Sequence, residues 1–264
     1  MRNAPLVADD IGALPEEILE LLSAPEVTDL FNQYQYYESI EGSWLLKPAI
    51  DLIAQYSKKN GLAVYHCTKE LFPGKFASEG LRVLDHQRHV DEFLHYTTKE
   101  GLLDESERKE IEPILRTWRD GTAHVQARDG TLHLLHSRQE VSAWGAEKFF
   151  RYYGGEALYW PFGPWRPDAD HWFLRLLESI GMSVVVEASV APSDLITGSD
   201  NFGADVVIAH FARSVNPEFQ LWHPFCFTRK RVPPEQIMSV TTLESFVERL
   251  DLELDWDWKP HWMK

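Results

Sequence analysis

One stretch of the sequence decides the fold: Leu62-Ala63-Val64-Tyr65-His66-Cys67-Thr68. A short apolar run that follows Asn60-Gly61 predicts a β-strand. The strand ends in His66 and Thr68, whose side chains form hydrogen bonds. A helix-length segment follows, and then Glu79-Gly80-Leu81-Arg82. We interpret this arrangement as a strand that offers a histidine to a cleft.

The composition indicates an acidic globular protein. The 264 residues are 44% hydrophobic and include ten Trp and fourteen Phe, enough to bury a substantial core. The net charge of −15 repels phosphate backbones, so general binding to nucleic acid is disfavoured. The only tight basic cluster is Arg229-Lys230-Arg231, which we interpret as a solvated strand end or an anion contact.

Cysteine content and hydropathy favour a reduced cytoplasmic protein. Two cysteines are too few for a disulfide framework. Met1 to Asp10 lacks a basic region followed by an apolar block, and no run reaches the roughly 18 apolar residues of a membrane span. Cys67 follows His66, but neighbours on a strand point to opposite faces, so a Cys–His dyad is not expected.

The chain is predicted to be one α+β protein in three parts. These are a helical N-terminal extension (1–60), a mixed domain (61–250) and a Trp-rich C-terminal tail (251–264). Leu14 to Leu22 and Ser43 to Lys58 carry helical periodicity. Val83 to Trp118 is predicted to be a charged helical insert with helices over 86–96 and 105–118. Its histidines do not share one helix face, which disfavours a metal site; they are His86, His89 and His95.

The second half of the chain is predicted to be richer in strands. A hairpin is expected around Asp129-Gly130, with strands at 123–127 and 131–136. An aromatic helix is expected over 139–153, ended by Gly154-Gly155. Further elements are expected as a helix over 168–180, strands at 182–190, 205–212 and 221–228, a last strand ending at Val240, and a helix over 242–250.

Three later segments help to interpret the opening strand. They are Lys148 to Glu156 (KFFRYYGGE), Ser183 to Leu195 (SVVVEASVAPSDL), and Phe225 to Thr228 leading into Val232 to Ile237 (VPPEQI). In this order the motifs resemble the ADP-ribosyltransferase-like fold, in the branch of diphtheria-type toxins, poly-ADP-ribose polymerases and RNA 2′-phosphotransferases. The resemblance spans Leu62 to Val240 and rests on the order and spacing of short motifs. It implies a split β-sheet core that binds NAD, as substrate, in a cleft.

The resemblance also implies roles for individual residues. His66 would hold the adenosine-side ribose of NAD, with Thr68 supporting the same pocket. Tyr152 or Tyr153 would stack on the nicotinamide ring, an electron-poor partner for an aromatic face. The residues expected around NAD are Tyr65, His66, Thr68, Gly80, Leu81, Arg82, Tyr152 and Tyr153.

The resemblance requires a catalytic glutamate, because positive charge develops on the sugar as the nicotinamide leaves. Glu156 ranks first, since Gly154-Gly155 lets the backbone approach a ligand closely. Glu218 ranks second, because it precedes the strand that leads to Val232. Glu187 is a third option, although acids in the middle of a strand often face solvent. The expected catalytic set is His66, Tyr153 and either Glu156 or Glu218.

The predicted function is cleavage of the nicotinamide–ribose bond of NAD. ADP-ribose then passes to a protein, a nucleic acid, a small molecule or water. One alternative is a non-catalytic ligand- or partner-binding module on the same fold, within a toxin–antitoxin or phage-conflict system. Another is an RNA 2′-phosphotransferase, in which Arg82 and Arg229 hold phosphate; the acidic charge of the chain disfavours it.

Overall fold

The chain divides into two compact units. The computed structural model describes residues 4–121, 128–163, 171–221, 226–254, 256–258 and 260–263. The first unit comprises Met1–Tyr65, Leu134–Glu140 and Glu187–Thr228. The second comprises His66–His133, Val141–Val186 and Arg229–Lys264. The division therefore falls within the opening strand, between Tyr65 and His66.

The first unit is built around one buried helix. Its helices are α1 (Glu16–Leu22), α2 (Pro25–Gln33), α3 (Lys47–Asn60) and α10 (Phe202–Val215). Every residue of α10 from Phe202 to Ala212 is buried. The helix packs against α2 and α3, and the rings of Phe31 and Phe211 lie 6.1 Å apart. A helix that is apolar on all sides belongs in a core.

The second unit holds the other helices of the described residues. They are α4 (Lys75–Glu79), α5 (His86–Lys99), α6 (Glu105–Gly121), α7 (Glu147–Arg151), α8 (Glu156–Tyr159), α9 (Trp172–Ser179) and α11 (Leu243–Leu250). Its core combines Val90 and Phe93 of α5, Ile111 of α6, Tyr159 of α8 and Phe173 of α9. Within the residues described, no helix is long and apolar enough to cross a bilayer.

Two small antiparallel sheets complete the mixed α+β architecture. The strands are β1 (Leu62–Glu70), β2 (Leu132–Leu134), β3 (Met182–Val190), β4 (Leu195–Thr197), β5 (Cys226–Thr228) and β6 (Ile237–Thr242). Their orders are β1-β3-β6 and β2-β5-β4. In the second sheet Leu195 lies opposite Thr228 and Thr197 lies opposite Cys226.

Short 3₁₀ helices fill many of the connections. They span Ile11–Ala13, Tyr37–Ser39, Gln139–Ser142, Trp144–Ala146, Trp160–Phe162, Pro192–Asp194, Pro234–Gln236 and His261–Met263.

Most predicted elements are confirmed. The helices expected at 14–22 and 43–58, the opening strand, the two helices of the charged insert, the strand at 182–190 and the closing helix are all present. The strand expected over 205–212 is wrong, because this segment lies within α10. A fully buried run of Val, Ile and Ala has no alternation or amphipathic period, so its sequence does not separate strand from helix.

The aromatic helix expected over 139–153 is also wrong in extent. Residues 139–146 form two 3₁₀ turns, and α7 covers only Glu147–Arg151. Tyr152 and Tyr153 follow α7 outside any helix. Of the expected hairpin, β2 is present, whereas the strand at 123–127 lies outside the described residues.

Gly80 allows two backbone segments of the second unit to approach closely. Leu81 and Val232 exchange hydrogen bonds, with N···O distances of 2.8 and 2.9 Å. Gly80 has φ of +73°, and a Cβ atom there would lie 2.2 Å from the carbonyl oxygen of Val232. Glycine is therefore required at this position for two reasons, the left-handed conformation and the lack of space.

We expect Gly80→Ala to lower the free energy of unfolding by more than about 2 kcal/mol, because it adds a backbone clash to the cost of positive φ. Gly74→Ala is the matched control, since Gly74 has φ of +84° and nothing within 4 Å of an added Cβ. It should cost only about 1 kcal/mol. Urea unfolding measures both; equal losses would contradict the close approach.

Candidate functional site

The two faces of β1 differ in burial. Tyr65, Cys67 and Lys69 are buried, whereas His66 and Thr68 are partly exposed. Successive side chains of a strand point to opposite faces, so His66 and Thr68 share the more open face. The strand therefore presents its two predicted polar groups on one side, and Cys67 points to the other.

A main-chain carbonyl fixes the protonation state of His66. Its Nδ1 lies 3.0 Å from the carbonyl oxygen of His133 on β2. A carbonyl oxygen only accepts, so Nδ1 carries the proton and Nε2 of the neutral ring keeps its lone pair. Burial lowers the pKa of His66, which favours this neutral ring at pH 7.

The second unit carries a group of polar residues made of His66, His133, Arg128 and Glu156. Burial, with the positive charge of Arg128, lowers the pKa of His133 to about 4. The Arg128 guanidinium forms an ion pair with the Glu156 carboxylate, and their side chains are 32% and 17% exposed. Partial exposure leaves both groups accessible to a ligand. We call these four residues the His66–Glu156 cluster.

A glycine turn places Glu156 at the start of α8. Gly154 and Gly155 have φ of +80° and +61°. A Cβ on Gly154 would lie 2.2 Å from Cδ1 of Leu158 and 2.9 Å from Nε2 of His89. His89 donates from this nitrogen to the carbonyl oxygen of Gly154 at 3.1 Å. The predicted close approach at Gly154 is thus made by protein side chains.

The two predicted stacking residues have different surroundings. Tyr152 is buried against Tyr159, with the Arg151 guanidinium 5.0 Å from its ring centre. Tyr153 is half-buried, and its ring lies nearly parallel to that of Phe93 at 6.2 Å. Burial raises the pKa of Tyr153 to about 12, so its hydroxyl stays neutral. Tyr153 is the more accessible of the two.

Gly80, Leu81 and Arg82 have structural partners. Gly80 and Leu81 form the close approach to Val232 described above. Arg82 is half-exposed and forms ion pairs with Glu79 at 2.7 Å and Glu92 at 3.8 Å. Its charge is therefore already offset by two carboxylates. Arg229, the other residue considered for phosphate, is exposed.

Three of the predicted residues belong to the first unit. Tyr65 is fully buried, and Glu187 accepts a hydrogen bond from it. Burial, with the Glu187 charge, raises the pKa of Tyr65. Glu218 is exposed, and its main-chain N–H donates to the Asn216 side chain. Of the three glutamates considered, Glu156 is thus the one that lies in the same unit as His66 and forms an ion pair with Arg128.

Sequence reasoning missed His133 and Arg128. His133 is the central residue of β2, a strand whose other residues are buried and apolar. That alternation signals a side chain on the opposite face, and with His66 it could have suggested a paired site. Arg128 was assigned to a turn from Arg128-Asp129-Gly130, and nothing in that motif points to Glu156.

Lys69 anchors the segment that carries Tyr153. Its side chain is buried, and Nζ donates to the carbonyl oxygens of Arg151, Leu177 and Glu178 at 3.4, 3.3 and 2.5 Å. The Leu177 carbonyl also accepts from the main-chain N–H of Tyr153 at 3.0 Å. These carbonyls end α7 and α9, where a cation is favoured.

We expect Lys69→Met to lower the free energy of unfolding at pH 7 by about 1–3 kcal/mol, because three main-chain carbonyls lose a donor. Burial lowers the pKa of Lys69 from 10.5 to about 8. Between these two values the unfolded chain binds more protons, so this group's contribution to stability increases with pH. The stability difference between wild type and variant should therefore widen from pH 8 to 10. Chemical unfolding at each pH measures it, and a constant difference would contradict the buried ammonium.

The described residues contain no group of three or more His, Cys, Asp or Glu side chains arranged to hold a metal ion. Comparisons of the chain with protein families, curated proteins and solved structures find no match. The functional argument therefore rests on the His66–Glu156 cluster.

Proposed function

We propose that this protein is an ADP-ribosyltransferase-like enzyme that cleaves the nicotinamide–ribose bond of NAD. The observation that carries the proposal is the His66–Glu156 cluster, in which a histidine of fixed tautomer lies in the same unit as the Arg128–Glu156 ion pair, whose cation acts on the neighbouring His133. The order of sequence motifs and the mixed fold with two small sheets are consistent with it. ADP-ribose would pass to a protein, a nucleic acid, a small molecule or water.

His66 is suited to bind ribose. Its Nδ1 is occupied by the His133 carbonyl, so Nε2 accepts a hydrogen bond from a sugar hydroxyl. Because burial lowers the pKa of His66, the lone pair is available at pH 7. Thr68 lies on the same face of β1, and its side-chain hydroxyl can form a second hydrogen bond with the sugar. Tyr153 offers a half-buried aromatic ring for the nicotinamide.

Glu156 and Arg128 supply charges of both signs. A carboxylate stabilises the cationic sugar that forms as the nicotinamide–ribose bond breaks. Arg128 provides a positive charge and a planar set of donors for the pyrophosphate of a dinucleotide. In a chain with net charge −15, such a local cation favours the binding of an anionic substrate.

The ion pair also favours a second candidate, a ligand-binding module without catalysis. Arg128 compensates part of the negative charge of Glu156, and this reduces the stabilisation that the carboxylate offers to a cation. Such a module would bind NAD or a related ligand and leave it intact. The 2′-phosphotransferase alternative gains less support, because Glu79 and Glu92 already pair with Arg82.

We expect the wild-type protein to release nicotinamide from NAD, and Glu156→Gln to slow this by about 100-fold while NAD still binds. His66→Ala should weaken NAD binding itself, since it removes the ribose partner. Liquid chromatography of nicotinamide measures release, and titration calorimetry measures binding. His95→Ala and Glu100→Gln, at exposed positions of the same unit, are the matched controls and should match wild type.

Glu218→Gln separates the two ranked glutamates. If Glu156 is the catalytic residue, this exposed position should tolerate the change with unaltered release. Loss of release in Glu218→Gln alone would move the role to Glu218. Wild-type protein that binds NAD without releasing nicotinamide would favour the binding module, and absence of NAD binding would contradict both candidates.

A further inference from the structure

A cavity of about 380 Å³ opens in the first unit, and none of its lining residues is among those assigned to NAD. It is lined by α3, the 3₁₀ turn at Pro192–Asp194, β4 and the first turn of α10. Cavities of this size are typical of small-molecule sites. All of its lining residues belong to the first unit.

One side of the cavity is apolar. It is formed by Ala54 of α3, Pro192, and Leu195 and Ile196 of β4. Ile196 is 38% exposed, so part of its side chain is open to a ligand. This surface matches the C–H face of a small ring.

The other side is polar and partly fixed by hydrogen bonds. The Thr197 hydroxyl donates to the carbonyl oxygen of Ser199 at 2.8 Å. The Ser199 hydroxyl donates to the buried carboxylate of Asp205, which also accepts from Tyr37. Asp200 lines the cavity, and within the described residues its carboxylate has no hydrogen bond or ion pair. Asp200 is thus an acceptor available to a ligand.

Donors come from the start of α10. The first N–H groups of a helix have no partner within it, and the Asn201 side chain does not cap them. Phe202 and Gly203 line the cavity together with Asp200, and their N–H groups are the first two of this helix. Main-chain donors and a carboxylate acceptor are present side by side.

The N–H donors of α10 beside the Asp200 carboxylate favour a ligand without net charge. An anion would meet the Asp200 carboxylate, with Asp205 nearby, in an acidic protein. A cation would leave the N–H groups of α10 without an acceptor and would lie at the positive end of the helix. A hydroxyl group satisfies both, because it accepts from an N–H and donates to a carboxylate.

We propose that the cavity binds a neutral sugar ring through its hydroxyl groups, either as a free monosaccharide or as the ribose of a nucleoside. Asp200 accepts from ring hydroxyls, the N–H groups of Phe202 and Gly203 donate to them, and the ring face packs on Pro192 and Leu195. The site is independent of the proposed NAD chemistry.

Titration calorimetry with D-ribose and with adenosine tests the site and distinguishes a free monosaccharide from a nucleoside as its ligand. Saturable binding of ribose indicates a monosaccharide site, and binding of adenosine alone indicates a nucleoside site. AMP should bind more weakly than adenosine, because its phosphate adds negative charge. Adenosine should still bind saturably to His66→Ala, which separates this cavity from the His66–Glu156 cluster.

Variants then locate the binding. Asp200→Asn should weaken it at least tenfold, with Asp29→Asn as the charge-matched control on exposed α2. Ala54→Phe should abolish it by filling the cavity from an exposed helix position, and Gln55→Phe, the adjacent exposed position, should not. Circular dichroism confirms that each variant folds. The proposal is overturned if neither ribose nor adenosine binds, if AMP binds more tightly than adenosine, or if Ala54→Phe binds as well as wild type.

Discussion

The buried ammonium group of Lys69 is the constraint on which the second unit depends. A charged group that leaves water must find compensating partners, and Lys69 finds them in three main-chain carbonyls at the ends of α7 and α9. This fixes β1 against the segment that continues to Tyr153 and the glycine turn. Strand β1 thereby has two roles. Its open face presents His66, and Lys69 on its buried face binds the segment that leads to Glu156.

The opposite charges of the His66–Glu156 cluster matter because of the acidic chain around them. Arg128 supplies local positive charge, yet its pairing with Glu156 keeps that charge from dominating. A dinucleotide carries both a pyrophosphate and a ribose that becomes cationic when its bond to nicotinamide breaks. Neighbouring charges of both signs suit such a substrate better than a uniformly basic pocket would.

The local sequence pattern predicted an element well where the hydrophobic period and the residues that end the element agree. Examples are the strand at Leu62 to Thr68 and the helices at 86–96 and 105–118. It failed at 205–212, where burial on every side removes the period. For the site, the alternation of β1 was enough to single out His66 and reject Cys67. It did not reveal Arg128 or His133, because their roles arise from contacts between distant segments. Glycines 154 and 155 were recognisable from sequence, but the use of that space by Leu158 and His89 was not.

The hydrogen bond that sets the His66 tautomer has an evolutionary consequence. Its acceptor is the main-chain oxygen of residue 133, which every amino acid provides. The side chain at 133 can therefore drift among relatives while the ring of His66 keeps the same proton on Nδ1. Natural variation at this position would retune the electrostatics around Arg128 without disturbing the lone pair presented to a ligand.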